Sequence, residues 1–502
     1  MNSKRHFFRT AVPRIQLGIN VAAALVYFVL ITFWFPIGDR FLFAMLILGE
    51  VFHLWQVIGY MTTIWNTEHV PAEFSKVTKP VDIFITVAGE PVEIVEKTAL
   101  AALAMDYPRF KVYILNDGFV AKKDNWQEIE AMAARLGIGC ITRTVPGGAK
   151  AGNINNALRA TISQFVAVFD ADHCPHPDFL TKTMGYFGDP KVAFVQSPQF
   201  YANSQATFVA GGAWEQQELF FGPIMKGKNR FGSAFMCGTN MVIRRVPLEE
   251  AGGMCETNIA EDFLTSLFIH QNGWKSVYVP EVLAEGLAPE DFLSYYKQQF
   301  RWARGSLEVI FRHNPLFSRT LTWAQKFQYL ASASYYLSGV VILIDALLPL
   351  AYFYTGHVPV QTSTLTLAAA FLPYIFLTIH NLQLSSNFTY TFRALSFSNS
   401  AWDIHVRALW AVLTRQKSSF AVTSKKQIVG NFWYLVVPQL TYVGLTAVGI
   451  AFSAWRNGGI TASLVTNAAW AILNCAIFYP FIRAAFPERR MAAQPELVPQ
   501  PA

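Results

Sequence analysis

The chain alternates long apolar runs with one long polar stretch. A helix that crosses a hydrocarbon core needs about 20 mostly apolar residues, and six runs meet that length: 15–35, 41–64, 326–354, 363–385, 431–453 and 461–484. Two runs precede the polar stretch and four follow it. The pattern predicts three parts: two transmembrane helices in 1–72, a hydrophilic domain ending in an interfacial helix in 73–322, and four transmembrane helices with a cytosolic interfacial helix in 323–502.

The polar stretch alternates short β-branched runs with amphipathic segments, which is typical of an α/β domain with a mainly parallel sheet. A helix is expected at 92–105, and strands are expected at 81–87, 112–115, 165–169 and 193–196. Ligands of such sheets bind beyond the carboxyl ends of the strands. Asp117, Asp170 and Asp172 each follow a strand and are expected at that edge.

Charge and cysteine content refine this picture. The N-terminus, residues 407–426 and the C-terminal tail are basic, whereas the opposite loops carry only Arg40, His357 and Arg456 as basic groups. Because Lys and Arg beside short loops favour the cytoplasm, we expect a multi-pass inner-membrane protein with its polar domain in the cytosol. This bias explains the net charge of +7, and no motif predicts a nucleic-acid partner. The five scattered cysteines fit a reducing compartment.

Three short polar motifs carry the candidate chemistry: Asp170-Ala171-Asp172, Ala260-Glu261-Asp262 and Gln298-Gln299-Phe300-Arg301-Trp302. Each also has an ordinary structural explanation: a solvated loop start, an acidic helix N-terminus and an amphipathic helix at a membrane surface. A hard divalent cation takes a few carboxylate oxygens and leaves its remaining positions to water and substrate phosphates. The acidic motifs therefore suit a reaction with a diphosphate leaving group.

Two neighbouring features resemble parts of other kinds of site. His173, Cys174 and His176 follow the first motif, but no second Cys or His cluster completes a tetrahedral zinc site. Lys150 lies in a glycine-bearing loop without the spacing of a Walker loop. A lysine in such a loop can serve a diphosphate as a point charge.

Together the motifs resemble those of the processive family 2 glycosyltransferases, most closely the bacterial cellulose synthases. The resemblance covers roughly residues 80–426 and includes the order and spacing of the motifs. It rests on the lysine loop 147–153, the three motifs above, segment 235–240, the extension 301–305 and Phe420-x-Val422-Thr423-x-Lys425. The last motif resembles the gating loop of that family, which transferases that share only the nucleotide-binding domain do not need.

The resemblance implies a GT-A-like α/β domain inserted into a polytopic helical membrane domain. It also implies an inverting enzyme that polymerises glucose from UDP-glucose into a β-glucan, β-1,4-linked or, as alternatives, β-1,3 or mixed, and moves the polymer across the inner membrane. The expected cofactor is Mg²⁺ or Mn²⁺. Expected partners are UDP-glucose, the growing glucan, the bilayer and export or periplasmic subunits. A chitin- or hyaluronan-type synthase using UDP-N-acetylglucosamine and a non-processive polyprenyl-phosphate glycosyltransferase stay open as alternatives.

The resemblance also implies residue roles. Asp262 is the expected general base, and Glu261 and Arg301 belong to the expected catalytic set. Asp172 and Asp170 are expected to bind the metal. The expected donor-binding residues are Thr86, Glu90, Asp117, Lys150, Asp170, Gln298 and Arg301. The expected acceptor-binding residues are Trp302, Cys237, Gly238 and Thr239, and the expected gating-loop residues are Phe420, Val422, Thr423 and Lys425.

The chain departs from the family pattern at three places. Ala88-Gly89-Glu90 replaces the usual Tyr-Asn-Glu, Asn116 replaces the first acid of an Asp pair, and Ala260 replaces Thr. These changes concern the donor base contacts and the choice of donor. Because the sequence ends soon after the last apolar run, no cyclic-di-GMP-binding PilZ domain is expected.

Overall fold

The computed structural model describes residues 11–69, 78–416 and 427–488. The gating-loop residues Phe420, Val422, Thr423 and Lys425 lie outside the described residues, so their role stays a prediction. The described strands are, in chain order, β1 Val81–Val87, β2 Phe110–Asn116, β3 Gly139–Thr142, β4 Phe165–Asp170, β5 Cys174–Pro175, β6 Val192–Gln196, β7 Phe200–Tyr201, β8 Met241–Arg244, β9 Lys275–Tyr278 and β10 Ala284–Gly286.

Seven strands form the central sheet in the order β3-β2-β1-β4-β8-β6-β9, and β5, β10 and β7 form a small second sheet. Strands β1 to β4 pair in parallel, which places Thr86 beside Asp170 and Val87 beside Asn116. Strand β8 is antiparallel to both β4 and β6. The sheet is therefore mixed, and the expected mainly parallel order holds on one side of β8 and between β6 and β9.

The helices connect these strands and build the membrane part. In chain order the described α-helices are α1 Arg14–Val29, α2 Arg40–Thr63, α3 Val92–Leu103, α4 Trp126–Arg135, α5 Ala149–Ala160, α6 Phe179–Met184, α7 Phe208–Leu219, α8 Met225–Arg230, α9 Arg245–Glu250, α10 Glu261–Gln271, α11 Phe292–Arg312, α12 Trp323–Ser334, α13 Ser338–Thr355, α14 Thr364–Ser385, α15 Phe392–Ser400, α16 Trp402–Leu413, α17 Val437–Arg456 and α18 Ala462–Ala484.

The sheet is buried on both faces. All seven residues of β1 are buried, which explains why its sequence is nearly continuously apolar. One face packs against α3, α4 and α6, and the other packs against α5 and the region of α9 and α10. The carboxyl ends of β1, β2 and β4 remain as the open edge of the sheet, where the predicted site residues lie.

Six helical segments among the described residues are long and apolar enough to cross a membrane, as predicted: Arg14–Trp34, Arg40–Thr63, Trp323–Thr355, Thr364–Ser385, Val437–Arg456 and Ala462–Ala484. The third segment consists of α12 and α13, joined by a single 3-10 turn at Tyr335–Leu337.

Polar contacts connect membrane helices that are far apart in sequence. The Asn20 side chain in α1 is fully buried and donates to the carbonyl of Tyr374 at 3.3 Å and to the hydroxyl of Thr378 at 3.0 Å, both in α14. A β-bridge pairs Ile37 with Val360 between the loops at the opposite helix ends. These contacts join the α1–α2 pair to the α13–α14 pair.

The α/β domain contacts the membrane part through amphipathic helices. Helix α11 packs along α16, and α15 packs against both α7 and α18. Between α7 and α15, the Arg393 guanidinium donates to the Glu215 carboxylate at 2.6 Å, and Thr391 donates to the same carboxylate at 2.6 Å. These contacts join the α/β domain to the membrane helices.

Candidate active site

The end of β4 carries a group of side chains that can bind a metal. One ligand atom each from Asp170, Asp172 and His173 lie within 4.8 Å of one another. Asp172 is buried and accepts from the backbone N–H of Leu287 at 3.2 Å. Both ring nitrogens of His173 are buried without a hydrogen-bond partner, 3.5 Å or more from the Asp172 carboxylate. Two carboxylates beside an orphaned imidazole fit a divalent cation.

Lys150 extends from the glycine loop to this group. Gly147, Gly148 and Ala149 all have positive φ angles, and α5 begins at the last of them. The Lys150 ammonium contacts the Asp170 carboxylate and donates to the carbonyl of Gly238 at 2.7 Å. Burial alone lowers the pKa of Lys150, but the carboxylates of Asp170 and Glu261 outweigh it and raise the pKa above its usual value. Lys150 therefore remains a cation.

Glu261 and Asp262 form the first turn of α10, close to the same lysine. The backbone N–H of Phe263 donates to Asp262 Oδ1 at 2.7 Å, which fixes the carboxylate. A methyl group at Gly238 would lie 3.3 Å from Asp262 Oδ2 and 3.5 Å from Lys150 Nζ, so Gly238 separates the two charges. Burial, and next the charge of Glu261, raise the pKa of Asp262 to about 7. A carboxylate with that pKa suits general base work near neutral pH.

Helix α11 brings Gln298, Arg301 and Trp302 toward α10. Burial lowers the pKa of Arg301, while the charges of Glu261, Asp170 and Asp262 raise it, so the guanidinium faces these acids. Trp302 is half-buried beside it. The close approach depends on Gly305, because a methyl group there would lie 2.4 Å from Cβ of Ala260. Asn258 reinforces the contact by donating to the carbonyl of Gly305 at 3.3 Å.

Asp117 is bound by a residue that the sequence reasoning missed. Arg143 donates from Nε to Asp117 Oδ1 at 2.8 Å and from Nη2 to Oδ2 at 2.5 Å, and both residues are buried. The same guanidinium donates to the carbonyls of Gly147 and Ala149. Because β2 and β3 pair Asn116 with Thr142, the next residues of both strands lie side by side. A prediction of β3 from the sequence would have placed Arg143 beside Asp117.

Two of the remaining expected donor-binding residues, Thr86 and Glu90, lie at the same edge. Thr86 contacts the Asp170 carboxylate at 3.3 Å, and the Glu90 carboxylate accepts from the backbone N–H of Ala88 at 2.6 Å. Asn116 donates to the carbonyl of Trp126 at 2.9 Å and accepts from the N–H of Gly118 at 3.0 Å. The amide that replaces the family's acid therefore shapes the turn after β2.

The residues of the expected acceptor segment differ in burial and in contacts. Gly238 lies between Asp262 and Lys150, and half-buried Cys237 precedes it. Thr239 is fully buried, and its hydroxyl accepts from the backbone N–H of Asp170 at 2.9 Å. Thr239 thus supports the end of β4, where the Asp170 carboxylate begins the candidate metal site.

Comparisons with known proteins agree with this geometry. A family model described as "Glycosyltransferase like family 2" matches residues 79–305, and one described as "Cellulose synthase" matches residues 249–387. Residues 79–305 form a family 2 glycosyltransferase domain. The glycosyltransferase domain contains the strand edge, Lys150, Asp170, Asp262 and Arg301.

The similarity extends beyond the glycosyltransferase domain. The chain is 31% identical over 468 residues to the cellulose synthase catalytic subunit (UDP-forming) of Pseudomonas fluorescens (strain SBW25), covering 88% of this chain and 61% of that protein. It is 32% identical over 455 residues to the corresponding subunit of Xanthomonas axonopodis pv. citri (strain 306), covering 87% and 62%. The chain thus spans less than two thirds of the length of these two relatives.

A solved structure supports the fold of the glycosyltransferase domain. The mannosyltransferase PcManGT from Pyrobaculum calidifontis, in complex with GDP-Man and Mn²⁺, superposes with a TM-score of 0.53 at 16% identity, covering 75% of this chain and 100% of that one. The expected GT-A-like fold is confirmed.

Proposed function

We propose that the chain is a membrane-embedded, processive, inverting glycosyltransferase that extends a β-glucan, favouring β-1,4 linkage, from UDP-glucose. The catalytic domain lies in the cytosol, and the polymer leaves through the inner membrane. One observation carries the proposal: the Lys150 ammonium, the Asp170 carboxylate and the Asp262 carboxylate meet around Gly238 at the open sheet edge. The similarity to cellulose synthase subunits supports the hypothesis that the enzyme makes a polymer.

The cationic side chains suit a diphosphate leaving group. Lys150 and Arg301 would bind the diphosphate of the donor, and Asp170, Asp172 and His173 would hold a Mg²⁺ or Mn²⁺ ion. When bound, such an ion supplies positive charge that stabilises the departing diphosphate. Thr86, Glu90, Asp117 and Gln298 would complete the donor site at the neighbouring strand ends and on α11.

Asp262 would act on the acceptor. The terminal sugar of the acceptor would stack on Trp302 and lie beside Cys237 and Gly238. One of its hydroxyls attacks the anomeric carbon of the donor sugar. The proton of that hydroxyl moves to Asp262, the bond to UDP breaks on the opposite face, and an α-linked donor becomes a β-glycoside. A positioned base of this kind contributes typically 10²–10⁴-fold.

The membrane part gives the product a direction. The turn Tyr335–Leu337, between α12 and α13, packs against α11. The rings of Tyr335 and Tyr336 lie 5.2 Å apart, and the ring of His405 lies 5.1 Å from Tyr336. These aromatic rings lie where α11 meets the candidate span formed by α12 and α13. Aromatic faces at that place suit a sugar polymer that moves outward.

The proposal is tested with purified protein, UDP-glucose or UDP-N-acetylglucosamine carrying a radiolabel, and Mg²⁺ or Mn²⁺. We expect a polymer from UDP-glucose that a linkage-specific β-1,4-glucanase digests. Asp262→Asn should reduce synthesis to background while UDP binding persists, and Asp124→Asn, which changes an exposed carboxylate, should behave as wild type. Synthesis by Asp262→Asn would refute the assignment. A lipid-extractable product would favour the polyprenyl-phosphate alternative.

A further inference from the structure

Helix α10 begins with Glu261 and Asp262. At its other end it takes part in a buried series of hydrogen-bonded side chains. Near its C-terminus, His270 Nδ1 lies 2.7 Å from the hydroxyl of Tyr329, and Nε2 lies 2.9 Å from the hydroxyl of Ser276. Tyr329 and His270 are each 1% exposed, and Ser276 is 6% exposed. These three side chains connect α12, α10 and β9.

The direction of these hydrogen bonds is determined by their last member. The Ser276 hydroxyl donates to the carbonyl of Ala234 at 2.7 Å, so its oxygen accepts the proton of His270 Nε2. His270 Nδ1 then accepts from the Tyr329 hydroxyl. Burial lowers the pKa of His270 to about 4, so the ring carries one proton at neutral pH, as this arrangement requires.

The same residues contact the turn that carries Asp262. The ring of Tyr329 lies 5.4 Å from the ring of Phe263, which itself lies 4.7 Å from the ring of Phe235. Ser266 accepts from the backbone N–H of Met236 at 2.8 Å and donates to the carbonyl of Asp262 at 2.7 Å. Helix α10 and segment 234–238, which ends in Gly238, are therefore fixed to each other along two turns.

Tyr329 connects this unit to the membrane. It lies in α12, the first half of the candidate span Trp323–Thr355. Its hydroxyl and its ring contact opposite ends of α10, so the tyrosine determines how the helix sits relative to that span. The position of α10 relative to the span matters, because a misplacement of about 1 Å in a catalytic geometry can cost about 10²-fold in rate.

We propose that Tyr329 and His270 are a positioning pair that fixes α10, and with it Asp262, relative to the membrane span that receives the product. The pair touches neither donor nor acceptor and acts through Asp262 and Gly238. This inference rests on the proposed function, and it adds that loss of the pair shortens the polymer as well as slowing its synthesis.

The test compares variants of the full-length protein in the radiolabel assay. Tyr329→Phe removes only the hydroxyl and should lower kcat roughly ten- to hundredfold, with an unchanged donor KM and a shorter product. Rates are normalised to the number of UDP-binding sites, so that loss of folded protein cannot imitate the effect. Tyr107→Phe is the matched control, since that buried hydroxyl donates to the carbonyl of Lys79 outside the site.

Two substitutions at His270 separate a hydrogen-bonding role from simple packing. The amide of His270→Asn can present an oxygen where Nδ1 accepts from Tyr329, whereas His270→Gln reaches toward Ser276 and leaves the tyrosine without its acceptor. We therefore expect the asparagine variant to keep more activity and longer products. A packing role predicts the opposite order, because asparagine leaves the larger cavity.

The results with these variants either support or overturn the positioning role of Tyr329 and His270. Wild-type rate and product length in Tyr329→Phe, or better function of the glutamine variant than of the asparagine variant, overturn the inference. If Tyr329→Phe does not fold, the comparison at His270 decides alone. Absence of polymer from the wild-type protein with every UDP-sugar tested would instead refute the proposed function.

Discussion

Gly305 sets how closely α11 approaches the turn that carries Glu261 and Asp262, and Gly305→Ala tests that approach. The added methyl group would lie 2.4 Å from Cβ of Ala260 and 2.8 Å from its backbone nitrogen. Because carbon atoms pack best at about 3.5–4.0 Å, the two elements must separate by about 1 Å. Overpacking of this kind costs typically 1–3 kcal/mol of folding free energy.

The catalytic effect can be measured separately from the effect on stability. A displacement of about 1 Å between Arg301 and Asp262 is expected to lower kcat by roughly 10²-fold. We would measure radiolabel incorporation at saturating UDP-glucose, together with thermal unfolding in detergent. Gly444→Ala is the control, because that helical glycine has no atom within 4 Å of an added methyl group. A Gly305→Ala enzyme with the wild-type rate would show that the close contact does not position the motifs.

Three further predictions concern the same site. Because burial and Glu261 raise the pKa of Asp262 to about 7, the rate should fall tenfold per pH unit below about pH 7 and level off above it; a flat profile from pH 5 to 8 would exclude Asp262 as the base. Chelation of divalent cations should abolish synthesis. Asp172→Asn should raise the Mn²⁺ concentration that restores synthesis by at least about tenfold; an unchanged Mn²⁺ requirement would show that this carboxylate is not a ligand. Phe420→Ala combined with Lys425→Ala should shorten the product without lowering the unfolding temperature; full-length product would remove the gating role.

The sequence predicted those parts of the fold that depend on local pattern. The boundaries of β1 and the existence of the six candidate spans follow from apolar runs whose length and periodicity are visible in one dimension. The placement of Asp170 at the carboxyl edge of the sheet followed from parallel strands that end at one edge. These features needed no knowledge of partners distant in sequence.

Contacts between distant segments could not be read in the same way. Arg143 binds Asp117 across 26 residues, and its strand was not recognised because four half-buried residues carry little pattern. The antiparallel β8, which brings Gly238 beside Asp170, has the same composition as a parallel strand. The hydrogen bond from the backbone N–H of Asp170 to the Thr239 hydroxyl also joins distant segments, so the sequence alone did not indicate it.

The hydrogen bonds of Asn20 have a consequence for how the protein is made. Its partner Tyr374 is 354 residues away. Because ribosomes add about 5–20 residues per second, roughly 20–70 s separate the synthesis of Asn20 from that of Tyr374. During that interval the Asn20 amide, which is fully buried in the finished protein, lacks both of its acceptors in α14. Biogenesis of this membrane domain therefore has a defined vulnerable period, which pulse-chase proteolysis of nascent chains arrested before and after residue 378 would detect.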